Sequence, residues 1–221
     1  AGGGPSGKPA YDLTLYTHSI DLKYRHRPSK GFFGTIGFNG MRQGNVRSGS
    51  GFLIPNFRSY NGGMYAIEKW TNESWTLEAG LRYDYHWRRV FLLENRVVQS
   101  QDYNFQNLTF VGGIIYQFDE QWSLSSNFGS AWRPPGVNEQ FSDGVHHGTA
   151  QYELGDPGLG IERSYNVDLT LRNAGPRSYL QLSIYNKFID EFIYLQPGLQ
   201  AVLAIRCSFP LFRYRATDTI M

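Results

Sequence analysis

Residues 75 to 88 read WTLEAGLRYDYHWR, an order in which every second residue is apolar. Trp75, Leu77, Ala79, Leu81, Tyr83, Tyr85 and Trp87 share one parity, and Thr76, Glu78, Gly80, Arg82, Asp84, His86 and Arg88 share the other. Strand side chains point to alternate faces, so this segment is expected to form a strand with one apolar and one strongly polar surface; a helix would scatter both sets around its circumference. The apolar face begins and ends in Trp and carries Tyr near one end, the profile of a lipid-facing strand with an aromatic girdle at each interface. The polar face has the opposite requirement. An arginine at the bilayer midplane costs about 2–4 kcal/mol, so Glu78, Arg82, Asp84, His86 and Arg88 are expected to face a hydrated lumen.

The pattern recurs. Residues 122–132 set Trp122, Leu124, Phe128 and Trp132 against Ser123, Ser125 and Asn127. Residues 163–172 set Tyr165, Val167, Leu169 and Leu171 against Ser164, Asn166, Asp168 and Arg172, and residues 178–188 set Leu180, Leu182, Ile184 and Phe188 against Gln181, Ser183 and Lys187. A soluble sandwich also alternates, so strand length and connections carry the distinction. These strands run about 10–14 residues, beyond the globular mode of about 5–6 and enough for a tilted membrane strand of about 9–11. Short connections at 71–74, 119–121 and 174–177 alternate with long polar stretches at 89–107 and 134–161. Outer-membrane barrels have this arrangement of short periplasmic turns and long extracellular loops. Further strands are expected near 11–25, 32–43, 57–70, 108–118 and 208–219, which brings the total to about nine. Single-chain bacterial barrels have even counts, so either one strand is missed or the barrel is incomplete.

The expected fold class is therefore all-β, an antiparallel transmembrane β-barrel portion over residues 11–221 behind a flexible lead at 1–10. Composition agrees: aromatics make up 16% of the chain, mostly Tyr and Phe, which favour strands and, for Tyr, membrane interfaces. A formal charge of +2 gives no electrostatic case for nucleic acid. The single cysteine, Cys207, excludes an internal disulfide and any multi-cysteine metal site. No apolar run approaches the roughly 20 residues of a spanning helix.

One strand ends abruptly at Trp132-Arg133-Pro134-Pro135. Two prolines cannot donate to a ladder, so the chain leaves the sheet there for an external loop, with Trp132 expected at the outer girdle. The following residues carry Glu139, Gln140 and Phe141, then Gly155-Asp156-Pro157-Gly158-Leu159, Glu162, Ser164 and Asn166. In this order and spacing the chain resembles the TonB-dependent outer-membrane receptors, whose motifs are of the type F-R-A-P-x-x-x-E-L-[FY] and G-N-P-x-L-x-x-E. Trp for Phe, Pro for Ala and Asp for Asn are departures that keep shape or polarity. Gly80-Leu81-Arg82-Tyr83-Asp84 looks like the family's G-x-R-Y-D strand, and Tyr214-Arg215-Ala216-Thr217-Asp218 like a late Y-x-x-T-D-A segment with Thr219 in place of the Ala. Val145-His146-His147-Gly148 looks like variants in iron-complex receptors of Bacteroidetes-like bacteria.

The resemblance implies a receptor in the cell outer membrane of a Gram-negative bacterium, surrounded by outer-membrane lipid. Its cargo is a scarce nutrient, foremost a ferric siderophore or other iron complex, with haem or cobalamin as alternatives. Uptake is driven by the TonB complex through an N-terminal region, and the family barrel has about 22 strands around a plug domain. On that template the chain supplies less than half of the barrel, without the plug, the TonB-contacting segment or the C-terminal strands. No intrinsic cofactor is implied. A passive porin or a surface-binding β protein is the alternative of another class.

His146 and His147 are the foremost ligand candidates, because imidazole ligates haem iron and transition metals and haem receptors of the family place a His between the two motifs. Neighbouring residues of an extended chain point to opposite sides, so both reach one metal only if the loop bends there. Arg133 and Glu139 are candidate ligand contacts, better understood as ions that anchor the loop. Glu78, Arg82, Asp84 and His86 are expected to line the lumen. Asp143, Glu153 and Asp156 do not have EF-hand spacing. Ser142, Asp143 and His146 contain triad residue types but no G-x-S-x-G, H-E-x-x-H or P-loop accompanies them, so an enzyme is not expected.

Overall fold

The alternating segments become strands that lie side by side in chain order. The computed structural model describes residues 12–48, 53–94, 97–146, 151–176, 178–195 and 202–205. Its elements are β1 (Asp12–Arg25), β2 (Phe32–Ser48), β3 (Asn56–Thr71), β4 (Trp75–Glu94), β5 (Val97–Gln117), β6 (Trp122–Arg133), α1 (Val137–Phe141), β7 (Asp143–His146), β8 (Gln151–Leu154), β9 (Glu162–Ala174), β10 (Tyr179–Asp190), β11 (Phe192–Leu195) and β12 (Val202–Ile205). Eight of them form one antiparallel sheet in the order β1-β2-β3-β4-β5-β6-β9-β10, while β7–β8 and β11–β12 are separate two-stranded ribbons. The lead at 1–10 and the strand expected at 208–219 lie outside the described residues.

Local chemistry closes the short turns. Asn72 Oδ1 accepts from the N–H groups of Ser74 (3.0 Å) and Trp75 (2.7 Å), and Asp119 Oδ1 accepts from those of Gln121 and Trp122 (both 2.8 Å). In each case a side-chain oxygen replaces a backbone acceptor where the chain reverses. Between β1 and β2 the reversal takes two residues, Lys30 and Gly31, with φ of 50° and 83°. Positive φ at both central positions matches the right-handed twist of the strands it joins.

The outward parity is apolar across the whole sheet. Leu22 (57% exposed), Ile36 (60%), Met64 (62%), Leu81 (52%), Leu182 (57%) and Ile184 (74%) form a continuous belt in register. Burying one such side chain is worth about 1.5–3 kcal/mol, a gain that only lipid supplies for a surface this broad. Trp75 and Trp87 bracket the belt on β4, separated by about 40 Å of strand at ~3.3 Å per residue. At a 45° tilt that spans roughly 28 Å along the membrane normal, matching an apolar band of about 25 Å.

Two features depart from the pattern-based expectation. The stretch 89–107 is not an irregular loop: β4 and β5 continue as a ladder from Trp75↔Tyr116 to Glu94↔Val97. Beyond Trp87 the apolar residues fall on both faces, Val90 buried and Leu93 67% exposed, so no single-face alternation marks the extension. The second feature is a fork. β5 and β6 pair only between Val111↔Gly129 and Gln117↔Ser123. Above that level β6 stays with β9 as far as Arg133↔Glu162, and the last link back to β5 is Phe110 N–H to Ser130 Oγ at 3.0 Å. Trp132 therefore leaves the outer girdle where it was expected. Its indole N–H reaches 3.3 Å to Asp84 Oδ2, on the polar face of β4.

The buried apolar cluster sits at the long-loop end. Val137 and Phe141 of α1 pack on Phe57 of β3 and Val90 of β4, with Leu92 and Tyr103 alongside. This core is small because the sheet is not built around one; it ties the loop after β6 down onto the wall.

Candidate functional site

The polar parity of β2–β5 forms one connected array. Arg82 donates to Asp84 through Nε at 2.7 Å and through Nη2, and to Asn39 Oδ1 at 2.8 Å. Gly63 opposes Asp84 across β3–β4. A Cβ there would overlap Arg82, Asp84 and Asn39, so the glycine makes room for the ion pair. His86 is buried opposite Asn61, and neither His86 Nε2 nor Asn61 Oδ1 has a hydrogen-bond partner among the described residues. Asn39, Asn61, Arg82, Asp84, His86 and Trp132 line a groove of about 1020 Å³. Glu78 shares this face lower down, opposite Gly113. Of the four expected lumen residues, Arg82, Asp84 and His86 thus lie together and Glu78 lies apart.

The loop after β6 is held by charged groups that engage one another and the backbone. Arg133 Nη1 donates to both oxygens of Glu139 (2.9 and 2.8 Å), and Nη2 donates to Glu162 Oε2 (3.2 Å) and the Ile193 carbonyl (3.4 Å). Glu139 in turn accepts from the Gly136 N–H at 2.6 Å, one half of a capping box on α1. Glu162 accepts from the Ile193 N–H at 3.0 Å, which brings the start of β11 to the same point. The hydrogen bonds that Arg133 donates to Glu139, and then the one to Glu162, hold its guanidinium above its ordinary pKa.

The second motif packs onto the first. Asp156 N–H donates to the Glu139 carbonyl (3.0 Å), Gly155 N–H to the Ser142 carbonyl (2.7 Å) and Gln140 Nε2 to the Pro157 carbonyl (3.4 Å). A Cβ on Gly155 would strike the backbone of Gln140 and Phe141, so glycine is required by the close approach. From beneath, buried Arg88 donates to the Pro135 carbonyl (2.8 Å) and to Gln140 Oε1 (3.1 Å). Burial lowers Arg88 to about 10 while Glu139 opposes the shift, so it stays charged at neutral pH. Pro134-Pro135 thus ends the ladder and offers Arg88 a carbonyl.

Arg133 and Glu139 are therefore brought together by the fold and engage each other. Glu162 and Gln140, which complete the knot, were not among the expected site residues, and Arg88, expected to face a hydrated lumen, is instead buried under the loop. Glu162 was legible as the last residue of the second motif. Gln140 carried no signal of its own and alternation gave Arg88 only its polar face, since only the folded loop sets one over the other. The backbone of His146 ends β7 opposite Gln151, at the tip of the β7–β8 ribbon, and His147 lies outside the described residues. At the base of that ribbon Tyr152 donates to Asp143 Oδ1, which raises the Tyr152 pKa.

An antiparallel meander of long strands with an apolar outer face, aromatic rims, a charged inner face and short turns at one end is the wall of a transmembrane β-barrel. The family description "TonB dependent receptor-like, beta-barrel" matches residues 3–218, and the chain belongs to this family, whose members are transporters and not enzymes. Among solved structures it is similar to a double mutant of the haemophore receptor HasR of Serratia marcescens in complex with its haemophore HasA and haem (TM-score 0.67, 16% identity, 89% of this chain and 37% of that one). It is also similar to the copper transporter OprC (0.66, 16%, 83% and 30%) and to the alcaligin outer-membrane receptor FauA of Bordetella pertussis (0.58, 15%, 89% and 34%). At these identities the likeness is one of fold, and the chain spans about a third of the length of each.

Proposed function

We propose that the chain forms part of the barrel wall of a receptor in the outer membrane of a Gram-negative bacterium. That receptor takes up a scarce nutrient by TonB-coupled transport, foremost a ferric siderophore or another iron complex. The observation that supports this reading is the family match over residues 3–218 on a sheet whose outward face is a lipid belt. Similar structures include a haemophore receptor in complex with its haemophore and haem, a copper transporter, iron transporters and an alcaligin receptor, so the iron-complex reading stands ahead of cobalamin. Glu78, Arg82, Asp84 and His86 line the lumen in this proposal. Arg133 and Glu139 are candidate cargo contacts that act chiefly as ions anchoring the cell-surface loop, and His146 or His147 is the group offered to iron. Haem is the second reading, favoured by the imidazoles in that loop.

The test is growth of a strain lacking the receptor, complemented with the wild-type gene, under iron limitation on single iron sources. Loss of growth on one ferric siderophore or on haem, restored by the gene only when TonB is functional, is the expected result. Equal growth of deletion and complemented strains on every iron source would overturn the proposal.

A further inference from the structure

Immediately above the aromatic girdle, the outward face of β2–β5 turns basic. Arg42 lies in register with Tyr60 and Tyr60 with Trp87, while one level higher Arg58 lies directly opposite Arg89. The guanidinium of Arg42 lies over the ring of Tyr60 (5.8 Å to its centroid), that of Arg58 over Phe91 (5.7 Å) and that of Arg89 over Trp87 (5.3 Å). The Tyr60 and Trp87 rings are themselves 5.6 Å apart. Asp102 pairs with Arg89 through two hydrogen bonds of 2.6 and 2.7 Å. Among the described residues no carboxylate pairs with Arg42 or Arg58.

We propose that this patch binds the phosphate-bearing headgroup of an outer-leaflet lipid. Like charges directly opposite on neighbouring strands destabilise a sheet, and Asp102 neutralises only one of the three guanidiniums. An anion seated between Arg42 and Arg58 relieves the remaining repulsion. A guanidinium with no carboxylate partner keeps N–H groups to donate, and their planar fork matches phosphate oxygens in a bidentate pair. The position selects a lipid over a soluble anion. Just below the arginines on the same outward face lie exposed Phe38, Met64, Leu81 and Leu108, so one molecule that carries phosphate above acyl chains satisfies both surfaces. The inference rests on the membrane-spanning reading of the sheet and is independent of which cargo the receptor carries.

The experiment uses the complete receptor containing this chain, purified in a neutral detergent and given phosphorylated lipid A, with dephosphorylated lipid A as the second arm. Bound lipid is counted by native mass spectrometry. Phosphorylated lipid A is expected to bind more tightly than the dephosphorylated form. Arg42→Gln/Arg58→Gln should weaken it about tenfold, the scale of losing charge-assisted hydrogen bonds. Arg27→Gln/Lys30→Gln removes the same charge at the opposite end of the strands and should leave binding unchanged. Arg42→Lys/Arg58→Lys, which keeps the charge, should retain part of the binding and guards against a folding defect in the glutamine variant. Equal binding of the two lipid forms, or equal loss in both glutamine pairs, would overturn the proposal. A heat-modifiable gel shift reports the barrel separately, so a failure of the membrane reading shows as its absence in the wild type.

Discussion

Arg133 does for the loop what no backbone hydrogen bond can do there. The prolines at 134 and 135 end the ladder, and three segments, α1, the start of β9 and the start of β11, then meet on one guanidinium. Its side chain is 40% exposed, so solvent screens part of the attraction, and Arg133→Ala is expected to cost roughly 1–2 kcal/mol. Gly155→Ala is expected to cost a similar or larger amount, about 1–3 kcal/mol, because its methyl meets backbone and not a movable side chain. Both should lower the denaturation midpoint of the loop, followed by the fluorescence of Trp132, before the barrel melts. His146→Ala/His147→Ala should behave in the opposite way, with an unchanged midpoint and weakened growth on the iron source the receptor serves. Unchanged growth on all iron sources, haem included, would reduce the histidines to ordinary loop residues. At this scale the motif pair was legible, because Arg133, Glu139 and Glu162 are charged residues at fixed offsets beside prolines and glycines. The groove was only half legible: alternation gave Arg82, Asp84 and His86 their common face, but nothing in the pattern announced that Trp132 joins them.

Elements were legible where a single face is apolar. The strands read at 75–88, 122–132, 163–172 and 178–188 correspond to β4, β6, β9 and β10, and the turns into β4 and β6 follow from Asn72 and Asp119. The extension of the β4–β5 hairpin was hidden because apolar residues fall on both its faces, Val90 packed under α1 and Leu93 exposed, which removes the contrast that alternation depends on. Instead Tyr83 and Tyr85 donate to Gln106 (2.8 Å) and Asn104 (2.6 Å) across the pair, and such cross-strand links leave no periodic trace. α1 was hidden for another reason. Five residues cannot display a 3.6-residue period, and its N-cap is a glycine. The orientation of β4 gives a direct prediction. With single cysteines in the receptor, labels at Leu81→Cys and Tyr83→Cys should be quenched strongly by lipid-soluble nitroxides, and labels at Arg82→Cys and Asp84→Cys weakly. Quenching at Arg82→Cys as strong as at Leu81→Cys would reverse the two faces.

The whole sheet explains why its parts do not suffice for transport. Among the described residues β1 and β10 are its two edges and do not pair with each other. They are 14 and 12 residues long, and about half of the N–H and C=O groups of an edge strand point away from the sheet. Each such group costs several kcal/mol in hydrocarbon, so two open edges cost on the order of tens of kcal/mol. Closing β1 onto β10 would remove that cost, but an eight-stranded barrel has an interior only wide enough for its own side chains or one small ligand. The inner face here already carries Asn39, Asn61, Arg82, Asp84 and His86 around a groove of about 1020 Å³, and α1 packs over Phe57 and Val90. That volume suits a wider ring to which further strands contribute. The 221-residue chain reconstituted alone in planar bilayers is therefore expected to give no steady conductance, and no heat-modifiable shift on gels. Co-expression with the strands that complete the receptor should restore the shift. Reproducible single-channel steps from the isolated chain would show that it closes on itself, and the wide-ring geometry would then be wrong.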